Sequence, residues 1–129
     1  MSGLLALQLH AGPPMMVQFK NIRLKRLNQQ SGKVSNKKIV FVAGTKSHGY
    51  GAHEHNAGCL LLAQALNQSK LPLEAVVHRN GWPKDPHAFD GADAIVMYCD
   101  GGARHFANQN LGQIAQLASR GVGIASIHY

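Results

Sequence analysis

Histidine and aspartate recur in this chain where a parallel sheet would place chemistry. His48 lies in a glycine- and serine-containing loop, residues 44–51, directly after an apolar run. Asp100 follows a second such run, His128 closes a third, and His53 and Glu54 open a helical stretch. Histidine titrates near neutrality, so a His–Asp group suits general acid/base work. The same donors suit a divalent metal, which stays open as a cofactor. The run His53-Glu54-His55 nevertheless has poor spacing for zinc. On a helix, residues i and i+2 point apart, whereas the zinc-protease pattern uses i and i+4. No metal ligand is assigned on that ground. The loop 44–51 has three glycines but matches neither the dinucleotide fingerprint nor the P-loop. Trp82, in a turn, offers a face for stacking on a sugar, or else anchors that turn on the sheet edge. A single histidine is ordinarily a surface or hydrogen-bonded group; the clustering at strand ends is what singles out His48 and His128.

The elements that must position these residues are legible from the change of period along the chain. Residues 38–43 form a short, nearly continuous apolar run, as a buried parallel strand requires. A helix with an apolar face follows, from His53 to about Asn67. Residues 73–78 and 94–99 read as strands, 106–119 as a second long helix, and 121–127 as a fourth strand. Strands alternating with helices imply right-handed crossovers and a parallel sheet covered on both faces. With strand order 2-1-3-4, the loops after the first, third and fourth strands share one rim. His48, Asp100 and His128 then converge there, with His53 and Glu54 nearby. Such a sheet usually has more strands than this, so the chain reads as a fragment at both ends.

Before residue 28 the pattern is different. Leu5, Leu7 and Leu9 alternate with Ala6, Gln8 and His10, the period of a strand. Gly12-Pro13-Pro14 breaks that run, and a second strand starts near Met16. A shift of phase from Val17 and Phe19 to Ile22 and Leu24 suggests a bulge. Two strands alone are marginal in water, so residues 1–28 read as the end of a larger sheet. Residues 29–36 are polar and form a linker.

Composition bounds the alternatives. The chain has 129 residues, 45% hydrophobic and 15% charged, which fits a globular protein and argues against disorder. No apolar run approaches a membrane span, and residues 1–9 lack the basic start of a signal peptide. The net charge of +7 is concentrated in the first third: eight basic residues and no acid precede Glu54. No aromatic interleaves with the basic run, so a solvated strand and linker is preferred to a nucleic-acid or other polyanion surface. Cys59 and Cys99 do not make a disulfide framework; Cys59 reads as a buried hydrophobe, and Cys99, at a strand end, as an inert thiol.

Three blocks carry a family resemblance: KKIVFVAGTKSHGYGAHEHNAGCLLLAQAL, VVHRNGWPKDPHAFDGADAIVMYCDGG and GVGIASIHY. Together, over residues 37–129, they resemble the ThuA-like, or trehalose-utilisation, domain. That family implies a flavodoxin-like sheet related to the class I glutamine amidotransferases, here incomplete. His48, His53, Glu54, Asp100 and His128 match its pattern. Amidotransferases carry a nucleophilic cysteine after a strand; here Ile127-His128-Tyr129 has histidine instead, which argues against glutamine hydrolysis by a thiolate. The segment GLLALQLHAGPPMMVQFKNIRLKRL resembles the end of the 3-keto-disaccharide hydrolase domain, a concanavalin-like β-sandwich. That resemblance makes Gln8 and His10 candidates for sugar contact.

Both resemblances imply sugars oxidised at carbon 3. The ketone acidifies the hydrogen on carbon 2, so a base can form an enolate and the glycosidic oxygen on carbon 1 can leave. Ordinary glycosidases need paired carboxylates, and Asp85, Asp90 and Asp93 read instead as loop and surface residues. The expected function is that of an enzyme of sugar catabolism acting on 3-keto-glycosides, with His48, Asp100 and His128 catalytic and Gln8, His10, His53, Glu54 and Trp82 binding substrate. The alternative is a non-catalytic carbohydrate-binding module with an α/β scaffold. The partner in either case is a small sugar. Relatives joining two such domains are often exported, which makes a periplasmic or extracellular setting plausible. The oligomeric state is not legible.

Overall fold

The computed structural model describes residues 35–127. The two expected N-terminal strands, with Gln8 and His10, and also His128, lie outside the described residues. The elements run β1 (Lys37–Ala43), α1 (His55–Asn67), β2 (Leu73–His78), β3 (Ala94–Tyr98), α2 (Leu111–Ser119) and β4 (Gly123–Ser126). Two short 3₁₀ turns, Gly102–Arg104 and Phe106–Gln109, lie between β3 and α2. The sheet has the order β2-β1-β3-β4, with every pairing parallel. This is the α/β architecture that the alternating pattern implies, and the strand order is the 2-1-3-4 that puts the three loops on one rim.

β1 is one of the two interior strands, and its alternation builds both halves of the core. Val40 and Val42 pack with Ala88, Phe89, Ile95, Met97 and Leu117 on one face. Phe41 and Ala43 pack with Cys59, Ala63 and Ala75 under α1 on the other. A strand buried on both faces cannot alternate with polar residues, which is why 38–43 reads as a nearly continuous apolar run. No helix among the described residues is long and apolar enough to cross a membrane.

The second helix is shorter than its sequence suggests. Residues 106–109 form a 3₁₀ turn, and the α-helix starts only at Leu111. Polar side chains compete with the helical ladder here. The His105 ring accepts from the Ala107 N–H at 3.0 Å, and Asn110 donates to the Phe106 carbonyl at 2.7 Å.

Asp93 is more than a surface carboxylate. It accepts from Lys37 Nζ at 2.8 Å and from the Lys38 backbone N–H at 2.9 Å. Its own backbone N–H donates to the Lys38 carbonyl and its carbonyl accepts from Gly123. One residue thus ties β1, β3 and β4 together at the edge opposite the cavity loops. The Lys37 hydrogen bond, then the Lys38 N–H, holds the Asp93 carboxyl below its ordinary value. A depressed folded value stabilises above the unfolded value of about 3.9, and that contribution vanishes as pH falls through the folded one. The Asp93→Asn variant should therefore be less stable than wild type in urea unfolding at neutral pH. The gap should narrow steadily from about pH 5 downward.

Candidate functional site

The site lies beyond the carboxyl ends of β1 and β3, where open parallel sheets bind ligands. Gly44 is what lets these two strand ends meet closely. Its N–H donates to the Tyr98 carbonyl at 2.7 Å. A Cβ on Gly44 would lie 2.5 Å from Cys99 Cβ and 3.2 Å from His55 Nδ1. The close approach sets the loop after β1 against Asp100, the first residue beyond Cys99. A second glycine, Gly58, lets α1 cross the Tyr98 ring, whose Cε1 would lie 2.7 Å from an added Cβ.

Three imidazoles converge on the Asp100 carboxylate. His53 Nδ1 is 2.8 Å from Oδ1, and His48 Nδ1 is 3.5 Å from Oδ2. His55 Nε2 is 3.4 Å from Oδ1. The His48 and His53 rings also touch, with centroids 4.0 Å apart. The Ser47 hydroxyl lies 2.9 Å from His48 Nδ1 and hydrogen-bonds Asp100. A hydrogen bond from Ser47 first, then one from His53 and the electrostatic pull of the neighbouring imidazoles, hold the Asp100 carboxyl down at about 2 against the opposing effect of desolvation.

Local backbone geometry overturns the expectation that His53 and His55 must point apart. His53 is not in the helix. It has φ 51°, in the left-handed region, which costs an L-residue roughly 1–2 kcal/mol. Glu54 follows at φ −77°, ψ 69°, and the His55 N–H donates to the His53 carbonyl at 2.8 Å. This is an inverse γ-turn. It folds His53 back over the first turn of α1, so both rings reach the same carboxylate. Glu54 turns outward, where its carboxylate accepts from the Gly51 N–H at 3.0 Å and braces the loop.

His55 is the buried member. It is 2% exposed, and its Nδ1 lies 3.1 Å from the Thr45 carbonyl. A carbonyl only accepts, so Nδ1 carries the proton. Among the described residues, Nε2 has no hydrogen-bond partner.

His48 and Asp100 line a cavity of about 390 Å³, within the range of small-molecule sites. Ser47, Lys46 and Arg104 add polar and cationic groups to its wall, and Phe106 adds an apolar one. Cys99 also lines it, but burial raises its thiol, and burial pushes Cys59 up to about 11. Neither cysteine is poised as a thiolate nucleophile. Trp82 packs on Phe89 and Phe106, with ring centroids 4.9 and 5.6 Å away, and its N–H donates to Gln113 at 3.0 Å. Its indole is occupied as a turn anchor and does not line the cavity.

Of the residues singled out by sequence, His48, His53 and Asp100 are brought together, Glu54 and Trp82 are placed elsewhere, and Gln8, His10 and His128 fall outside the described residues. Sequence reasoning missed His55, Ser47, Lys46 and Arg104 as members of the site. No protein-family model matches the chain, and neither a curated protein nor a solved structure matches it.

Gly44→Ala should displace Cys99 and His55 and disorder the cluster. Gly49→Ala, in open space, should be nearly neutral. Thermal unfolding should show a loss of about 1–3 kcal/mol for the first and under about 0.5 kcal/mol for the second.

Proposed function

We propose that this chain belongs to a carbohydrate-active enzyme that breaks the glycosidic bond of 3-keto-glycosides, its α/β unit being flavodoxin-like and akin to the ThuA-like domain. The observation that carries the reading is the His48–Asp100 pair on the wall of a polar cavity at the strand ends. The family resemblance of residues 37–129 supplies the substrate class.

In this reading His48 takes the proton from carbon 2 of the keto-sugar. The electron pair moves to the carbon 3 oxygen as an enolate, for which Lys46 and Arg104 provide positive charge. Collapse of the enolate expels the carbon 1 oxygen, which takes the proton held by His48 and leaves as the second sugar. Elimination stops at the unsaturated ketone; addition of water at carbon 1 completes hydrolysis. Asp100 accepts from the His53 imidazole, and its charge stabilises the imidazolium form of His48. The sequence resemblances add Gln8 and His10 as sugar contacts and His128 as a further catalytic residue, all three outside the described residues.

The test is incubation of the full-length protein with a 3-keto-disaccharide, following sugar release by chromatography. His48→Ala should slow release by roughly 10²–10⁴-fold, the usual worth of a general base. Sugar binding without release in wild type would leave a carbohydrate-binding module in place of an enzyme.

A further inference from the structure

We infer that His48, His53, His55 and Asp100 form a binding site for one divalent first-row transition-metal ion. One donor atom from each of His48, His53 and Asp100 lies within 4.8 Å of the others, a spread that a single ion can gather by small side-chain movements. Proximity of such groups alone is common on protein surfaces. The second observation is His55, whose side chain is 1% exposed and whose Nε2 has no hydrogen-bond partner among the described residues.

The tautomer makes that atom informative. Nδ1 donates to the Thr45 carbonyl, so Nε2 of the neutral ring presents a lone pair. That lone pair faces Asp100 Oδ1, another acceptor, at 3.4 Å. Two acceptors held face to face, one of them on a buried ring, call for a positive charge between them, which a proton on Nε2 or a metal ion can supply. An imidazole whose far N–H is bound to a backbone carbonyl is also the arrangement in which metal-ligating histidines are ordinarily oriented. The donor set is nitrogen and oxygen, with the neighbouring Cys99 kept as a thiol by burial. Imidazole donors select first-row transition ions over magnesium or calcium.

The inference is separate from the sugar reading, in which the metal-free His48 serves as base, and binding is measured with the metal alone. Full-length protein stripped with a chelator would be dialysed to equilibrium against Zn(II), and separately titrated with Co(II) in the visible range. The expected result is one ion per chain and cobalt d–d bands. Asp100→Asn and His53→Ala, both at partly exposed positions, should each weaken binding at least tenfold with the far-UV circular dichroism unchanged. His87→Ala removes a ring that pairs with Asp90 on the surface, at 2.8 Å, and should change nothing. Absence of stoichiometric binding at micromolar metal, or binding that survives both substitutions, would overturn the site.

Discussion

The pairing of β1 with β3 is the constraint on which the site depends. Ala43 lies opposite Tyr98, and the ladder runs one step further through the Gly44 N–H to the Tyr98 carbonyl. Beyond that step the two chains separate, one into the loop holding Ser47 and His48, the other into Asp100. The approach at Gly44 leaves no room for a side chain, so the position of Asp100 relative to His55 follows from backbone contact. Core burial of Val40, Val42 and Ile95 fixes the register itself, because a one-residue slip would turn these side chains to the wrong face.

Electrostatics then assembles the cluster around one carboxylate. His53 adopts a left-handed backbone conformation, uncommon for a non-glycine residue, with its Nδ1 2.8 Å from Asp100. A buried nitrogen left without a hydrogen bond, such as His55 Nε2, costs about 1–3 kcal/mol unless a charge beside the carboxylate offsets it. In front of His48 and Asp100 lies a polar, partly cationic cavity of small-molecule size.

The fold was largely legible. β2 runs over the residues the pattern implied, and the strand order agrees with the one that brings the loops to a single rim. Buried strands announce themselves because two-sided burial forces apolar runs. The start of α2 was not legible, since His105 and Asn110 satisfy backbone groups with side chains, which periodicity does not register. His48 and Asp100 were singled out by their places after strands, and His53 by its place at the start of the first helical stretch. His55 was discounted by a helical-wheel argument that assumed His53 to be helical; a single left-handed residue removed that assumption. Glu54 and Trp82 were plausible by type, but type alone does not show where a carboxylate turns or whether an indole N–H already has a partner.

The most direct test of the Asp100-centred cluster is a long-range ¹⁵N NMR spectrum of the histidine rings in wild type and in Asp100→Asn. Signals of His48, His53 and His55 should all shift together in the variant, while those of His87 and His105 stay in place. A change confined to one ring, or spread equally over all histidines, would contradict the convergence of three imidazoles on one carboxylate.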